Sequence, residues 1–147
     1  MPRKNAPLCS PHGAVYKGPV QQCAARHMKI LFIHQNFPGQ YKHLAPLLAA
    51  KGHQCVALTL RVTEPRTWKG VRVLPYALPE RPGQKVHPWL VDLDTKVTRG
   101  HACFEAARKL RAQGVEPDLI LAHPGWGESL FLRDVWPRAR IGLYCEL

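Results

Sequence analysis

The sequence predicts an α/β fold in which helices flank a parallel, Rossmann-like sheet. Short apolar segments typical of buried strands alternate along the chain with segments of helical periodicity. The first apolar segment, at residues 30–33, is a continuous run rather than an alternating one, which is typical of a strand covered on both faces. We therefore expect right-handed crossovers between the strands, and a ligand site where their carboxyl ends meet.

The first strand leads into a glycine turn and then a helix. The segment MKILFIHQNFPGQ, at residues 28–40, contains the strand and closes with a proline-glycine pair. Beyond Gly39, apolar residues follow the spacing of an amphipathic helix until Gly52, which lies where a helix end favours a left-handed residue. Pro46 disturbs this helix, because proline in a helix interior costs about 3 kcal/mol. We expect a kink, or a loosely wound first turn before Leu44.

The remaining elements continue the alternation of strands and helices. Further strands are predicted at residues 53–60, 71–75, 119–122 and 141–144, with helices from 89 or 94 to 113 and from 128 to 135. Gly114 ends the long helix after a run of basic residues. In the short helix, Leu130 and Phe131 are expected to face inward. The proline-rich, basic stretch at residues 61–88 is interpreted as long loops, whose charges either solvate them or serve a function.

Composition limits the domain count and the class of partner. With 147 residues and 46% hydrophobic residues, the chain matches one globular domain. Its formal net charge of +11 favours anionic partners such as nucleotide diphosphates, acidic lipid headgroups or nucleic acid. Nucleic-acid binding is not predicted, because the sequence contains no recognisable motif and its basic residues are not interleaved with aromatic ones.

Residues 1–27 are predicted to be a disordered extension or a mis-assigned start, with one Rossmann-like domain at residues 28–147. The extension contains four prolines, no acidic residue and no apolar periodicity. It lacks the apolar core of a signal peptide, and no apolar run in the chain approaches the ~20 residues of a membrane helix. The five cysteines are odd in number and widely spread, which favours reduced thiols and a cytoplasmic protein.

Two cysteine–histidine pairs in this extension have the spacing of zinc ligands. Cys9 precedes His12 by three positions, and Cys23 precedes His27 by four. Chance pairing in a segment of low order is the favoured interpretation. No metal site is therefore predicted.

Two turns at the carboxyl edge of the predicted sheet contain the candidate site residues. Gly39, at the start of a helix, can present backbone N–H groups and a helix dipole to phosphate oxygens, although a glycine here is usually only a turn. No Walker motif or dinucleotide fingerprint is present. His123 follows the strand at residues 119–122, and it either assists proton transfer and orients a hydroxyl or caps its own turn through backbone hydrogen bonds.

The second turn adds an aromatic residue and a carboxylate. Trp126 either provides a platform for a sugar ring or packs against its neighbours. Glu128 either accepts a hydrogen bond from a sugar hydroxyl or occupies a first helical turn, where a carboxylate is favoured. A nucleophile elbow is excluded, because Phe131 occupies the position of the final glycine of that motif.

Two sequence blocks together resemble a known family of enzymes. MKILFIHQNFPGQYKHLAPLLAAKGH, at residues 28–53, and PDLILAHPGWGESLFLRDVWP, at residues 117–137, resemble the N-terminal domain of family 4 glycosyltransferases, and more narrowly a bacterial subgroup whose first strand ends in HQNFPGQ. The resemblance implies the N-terminal half of a GT-B fold. It also implies retaining sugar transfer from a nucleotide-sugar co-substrate to a glycan or lipid-linked acceptor, without a bound metal or other cofactor.

The resemblance also implies roles for individual residues. Gly39 and Gln40 match the turn whose backbone approaches the donor diphosphate, and His123 matches a region where relatives place a histidine beside the reacting sugar. Trp126 and Glu128 are predicted from their own chemistry to bind the acceptor. The family's second domain has no counterpart here, so we expect a truncated fragment that is inactive alone. The alternative is a free-standing nucleotide-binding module, and peripheral contact with an anionic membrane is compatible with either.

Overall fold

The computed structural model describes residues 27–80 and 85–145. The strands are β1 (Lys29–Ile33), β2 (Gln54–Thr59), β3 (Arg66–Trp68), β4 (Val71–Pro75), β5 (Leu119–Ala122) and β6 (Arg140–Leu143). The helices are α1 (Leu44–Ala50), α2 (Val91–Ala112) and α3 (Leu132–Val135), and short 3-10 helices occupy Gly39–Lys42, Pro88–Leu90 and Pro124–Trp126. The predictions for the N-terminal extension and its zinc-like spacing lie outside the described residues, apart from His27.

The described strands form one sheet in the order β3-β4-β2-β1-β5-β6. Every neighbouring pair is parallel except β3 and β4. The predicted α/β, Rossmann-like fold is therefore confirmed. After β1 the chain builds the sheet outward through β2 and β4, and it then crosses back to place β5 on the other side of β1. The strand order thus reverses between β1 and β5, which is where open α/β sheets bind ligands.

Strand β1 is buried on both faces of the sheet. Leu31 and Ile33 belong to a core shared with α2 and α3. Ile30 and Phe32 belong to a second core, which is shared with α1. All four side chains are at most 1% exposed. Because successive side chains in a strand alternate between faces, burial on both sides requires the continuous apolar run in the sequence.

The first helix accommodates Pro46 as predicted. A 3-10 turn at Gly39–Lys42 precedes α1, which begins at Leu44. Pro46 is therefore the third helical residue, in the first turn, where a backbone N–H has no partner within the helix. Gly52 follows the helix with φ +86°, the left-handed conformation that was expected there.

The loop prediction for residues 61–88 is wrong in part, because this stretch contains β3 and the hairpin that joins it to β4. Trp68 pairs with Val71 across a two-residue turn. The turn consists of Lys69 and Gly70, whose φ angles are +46° and +81°. Two consecutive residues with positive φ are typical of the tight turns that match the twist of a hairpin.

The predicted helix at residues 128–135 is also shorter than expected. It begins at Leu132, and the preceding residues form turns. Leu130 does not face inward, since it is 53% exposed, whereas Leu132 and Trp136 are buried. The long helix α2 begins at Val91, between the two predicted starts, and Gly114 with φ +83° follows its end as expected.

Gly127 lies between the turn after β5 and α3, and two structural constraints require glycine at this position. Its φ is +96°, and a Cβ atom at this position would overlap the carbonyl oxygen of Lys96 in α2. Gly100 of α2 is also restricted, because its Cβ would lie 2.7 Å from the carbonyl oxygen of Gly127. Backbone therefore contacts backbone where α2 passes the turn, and only glycine permits this distance.

Substitution of Gly127 by alanine is predicted to destabilise the fold strongly. The left-handed conformation costs a non-glycine residue about 1–2 kcal/mol, and overpacking against Lys96 adds about 1–3 kcal/mol. Gly114→Ala is the matched control, since Gly114 has φ +83° but a Cβ there meets nothing within 4 Å. Urea unfolding should give a loss for Gly127→Ala that clearly exceeds the loss for Gly114→Ala. Equal losses would contradict the backbone contact.

Candidate functional site

Two histidines meet at the carboxyl edge of the sheet, where the strand order reverses. His34 directly follows β1, and His123 directly follows β5. Their ring centroids are 6.0 Å apart, and the ring planes make an angle of 83°. The parallel pairing of β1 with β5, in which Ile33 faces Ala122, brings the two residues together. The predicted candidate His123 therefore lies beside a second imidazole.

His34 was not predicted from the sequence as a site residue. Its side chain is only 6% exposed, and its ring also makes an edge-on contact with Tyr41, at a centroid distance of 6.2 Å. One feature of the sequence could have indicated it: His34 and His123 each come immediately after an apolar strand segment. Which strands become neighbours is not visible in the sequence, so the pairing of the two histidines was not predicted.

Both imidazoles cap their own turns in the same way. The backbone N–H of Asn36 donates to Nδ1 of His34, and the N–H of Gly125 donates to Nδ1 of His123, each at 3.0 Å. Nδ1 is thus the acceptor in both rings, so the neutral tautomer carries its hydrogen on Nε2. Each ring can therefore donate a hydrogen bond from Nε2. The capping role considered for His123 is present, and its catalytic role stays a prediction.

Gly39 packs directly against the His34 ring. A Cβ atom at Gly39 would lie 2.7 Å from Cε1 of His34, and the residue has φ +42°. The predicted helix dipole behind Gly39 is weaker than expected, because only the four-residue 3-10 turn begins there and α1 begins five residues later. Gln40 is half-buried, with its side-chain oxygen covered by protein atoms. Donor-diphosphate binding by Gly39 and Gln40 stays a prediction.

The hydroxyl of Thr59 ties the turn after β1 to the end of β2. The Oγ1 atom donates to the carbonyl of Gln35 at 2.7 Å and accepts from the N–H groups of Phe37 and Arg61, both at 3.2 Å. Thr59 is fully buried. One hydroxyl group thus joins Gln35 and Phe37 in the HQNFPGQ turn to Arg61, which follows β2.

Trp126 presents an aromatic surface beside His123. The ring centroids of the two residues are 6.1 Å apart, and Trp126 is 41% exposed. Trp126 also makes a cation–π contact with Arg99 of α2, whose guanidinium lies 5.5 Å from the centroid of the Trp126 ring. This partly open aromatic surface has the chemistry of a sugar platform, and the acceptor-binding role predicted for Trp126 stays a prediction.

Glu128 lies in the interior, at 2% exposure. Its Oε1 atom accepts a hydrogen bond of 2.9 Å from the hydroxyl of Tyr76, which follows β4. Burial, followed by the charge of Glu128, raises the pKa of Tyr76 far above its usual value, and Arg99 opposes this increase. Tyr76 is therefore a protonated donor, and its bond to Glu128 joins the second turn to the end of β4.

Burial also makes the thiol near Glu128, that of Cys103, unreactive. Cys103 of α2 is fully buried, and burial together with the nearby charge of Glu128 raises its pKa well above the usual value. A protonated, inaccessible thiol is not a nucleophile. In this conformation Glu128 has a structural bond rather than an open surface, and its predicted acceptor-binding role stays a prediction.

The family model of the glycosyl transferase family 4 group matches residues 51–147, which is more than half of the chain. The chain belongs to the glycosyl transferase family 4 group. The recognition of this family in the sequence is therefore confirmed, and glycosyl transfer, with a sugar donor and an acceptor as substrates, is the general activity that membership supports. The match includes His123, Trp126 and Glu128, whereas β1 and the HQNFPGQ turn lie outside it.

The comparison with solved structures supports the fold of this family 4 chain. Its structure is similar to that of the C-terminal domain of the PF1911 hydrogenase from Pyrococcus furiosus, with a TM-score of 0.56 and 17% sequence identity. The alignment covers 80% of this chain and 92% of that domain. At this identity the likeness concerns the fold alone. A comparison with curated proteins found no match.

Two structural features are absent from residues 27–80 and 85–145. None of the helices there is both long and apolar enough to cross a membrane. No group of three or more His, Cys, Asp and Glu side chains in these ranges has a geometry that could hold a metal ion.

Proposed function

We propose that this chain is the acceptor-side domain of a retaining glycosyltransferase of GT-B architecture, which takes its sugar from a nucleotide-sugar donor. One observation carries the proposal: His34 and His123 converge at 6.0 Å on the edge where the strand order reverses. Family membership provides the reaction class, and this edge provides a place for it. The domain works with a second domain that holds most of the donor across a cleft.

In the proposed reaction, an acceptor hydroxyl oxygen bonds to the anomeric carbon while the bond from that carbon to the diphosphate oxygen breaks. The acceptor proton leaves with the nucleoside diphosphate. His123 donates a hydrogen bond from Nε2 to a hydroxyl of the transferred sugar, which fits the tautomer fixed by Gly125. Since Nδ1 is occupied by that backbone bond, the ring is a donor and a positioning group rather than a general base.

The remaining predicted residues take supporting roles around His123. Gly39 and Gln40 bring the backbone of the first turn close to the donor diphosphate. Trp126 is better placed for the acceptor than Glu128, because it is exposed and lies beside His123. Glu128 stabilises the same turn through the hydrogen bond that it accepts from Tyr76.

Loss of the His123 imidazole is predicted to lower sugar transfer. The full chain, co-expressed with the C-terminal domain of a GT-B enzyme, is assayed with labelled nucleotide sugars of several bases. His123→Ala should reduce the rate by about 10²-fold, the usual effect of removing a preorganised donor. His87→Ala is the control, because Nδ1 of His87 caps its turn in the same way, by accepting from the N–H of Trp89 at 3.3 Å, but lies outside the site.

The outcomes of this assay separate the two functions that the sequence left open. Transfer only in the presence of the second domain supports the proposal. Nucleotide binding without transfer under any condition supports the free-standing binding module instead. Transfer by the chain alone would contradict the requirement for a second domain, and equal rates for His123→Ala and His87→Ala would contradict the role of His123.

The proposal also includes peripheral contact with an anionic membrane, which suits a lipid-linked acceptor. The start of α2 and the 3-10 turn before it expose a cluster of large apolar side chains. Trp89 is 90% exposed, Leu90 53%, Leu93 59% and Val97 43%. An exposed apolar cluster on a protein with a net charge of +11 has the two properties that favour binding to acidic lipid headgroups.

The double substitution Trp89→Ser with Leu93→Ser is predicted to weaken membrane binding by about tenfold or more, because two large apolar side chains no longer enter the interface. Co-sedimentation with phosphatidylglycerol vesicles measures this binding, and phosphatidylcholine vesicles test the contribution of charge. Leu47→Ser, which changes a 53% exposed leucine on α1, is the control. Unchanged binding of the double variant would refute contact through this cluster.

A further inference from the structure

Tyr41 has a buried hydroxyl group that makes no stabilising hydrogen bond in the described part of the core. The residue is 2% exposed, and within the described part of the chain its hydroxyl has no hydrogen-bond partner. Buried tyrosines normally place the O–H against an acceptor, as Tyr76 does with Glu128 at 2.9 Å. A phenylalanine would fill the same space without leaving a polar atom in the interior, so the packing of the core does not require this hydroxyl.

The Tyr41 ring lies at the same sheet edge as the two histidines. It contacts Phe32 of β1 at a centroid distance of 5.2 Å, His34 at 6.2 Å and Tyr144 at 6.3 Å. His34 follows β1 and Tyr144 follows β6, so the ring spans the point at which the strand order reverses. Its position therefore relates it to the proposed ligand site rather than to a remote part of the core.

The groups gathered at this edge are hydrogen-bond donors. Burial, and then the neighbouring Tyr144, raises the pKa of Tyr41 to about 12, so its hydroxyl keeps its proton at neutral pH. In the neutral form of His34 and His123 the hydrogen lies on Nε2, because Nδ1 of each ring accepts from the backbone. The four side chains at this edge, which are Tyr41, Tyr144, His34 and His123, include no carboxylic acid. A set of donors without a carboxylate matches an oxyanion, and phosphate is the oxyanion that a nucleotide sugar brings.

We propose that Tyr41 is a ligand-binding residue, and that its hydroxyl donates a hydrogen bond to a phosphoryl oxygen of the donor diphosphate. The inference rests on the proposed function, since it takes the nucleotide-sugar donor from there. It assigns to a side chain a contact that the sequence predicted only for the backbone turn at Gly39 and Gln40. The hydroxyl then lowers the stability of the free protein in exchange for binding, as functional groups often do.

Tyr41→Phe tests this assignment, because it should raise the melting temperature and lower the affinity for pyrophosphate. Its melting temperature should rise by about 2–5 °C, because an unbonded buried hydroxyl is removed. Its affinity for inorganic pyrophosphate, measured by calorimetry on the full chain, should fall by about ten- to a hundredfold, the usual effect of losing a hydrogen bond to a charged group. Pyrophosphate is the probe because it is common to nucleotide diphosphates of every base.

Two further variants act as controls. Tyr76→Phe removes another buried tyrosine hydroxyl, which is bonded to Glu128, so its melting temperature should fall. Lys51→Gln removes an exposed cation that follows α1, at the opposite edge of the sheet, and should leave pyrophosphate affinity unchanged. This second control separates binding at the site from general attraction to a basic surface.

Three outcomes would decide against the assignment, and a fourth would separate it from the proposed function. A lower melting temperature for Tyr41→Phe would mean that the hydroxyl is already bonded in the free protein. Equal pyrophosphate affinity of Tyr41→Phe and the wild type would remove Tyr41 from the site while leaving sugar transfer intact. Absence of pyrophosphate binding by the wild type would overturn oxyanion recognition at this edge. If instead binding depends on Tyr41 but no transfer is found with a second domain, the inference stands and the proposed function fails.

Discussion

Burial of β1 on both faces is the constraint on which the rest of the structure depends. A strand with four consecutive side chains at most 1% exposed needs a neighbouring strand on each side and helices above and below. The chain meets this requirement by placing β2 on one side of β1 and, after a long crossover through α2, β5 on the other. The reversal of strand order at β1 follows directly, and with it the convergence of the two turns that contain His34 and His123.

The chemistry of the edge follows from how these turns are held. Each imidazole uses Nδ1 to accept a backbone N–H from two residues further along the chain, which leaves Nε2 as a donor. The Thr59 hydroxyl and the Tyr76–Glu128 bond then fix one turn each from the neighbouring strands β2 and β4. Rigid donors suit the recognition of phosphate and sugar oxygens, because their orientation is settled before the ligand arrives. Binding and positioning are therefore the contributions to glycosyl transfer that we propose for this site.

Much of the fold was predictable because local patterns agreed with it. The strands at residues 71–75 and 119–122 were predicted at their observed bounds, and Pro46 and Gly52 correctly indicated how α1 begins and ends. β3 was missed because proline and charge around it obscured a hairpin that depends on the two turn residues Lys69 and Gly70. The pairing of His34 with His123 and the burial of Glu128 were not predictable, since their partners are distant in sequence and only the sheet order brings them together.

The measurement that tests this account most directly is the tautomeric state of the two site histidines, read from the imidazole nitrogen chemical shifts at a pH where both rings are neutral. We expect His34 and His123 both to carry hydrogen on Nε2, with Nδ1 as the acceptor from Asn36 and Gly125. A ring of either histidine with its hydrogen on Nδ1 would contradict the capped turns, and with them the donor site on which the proposed function is built.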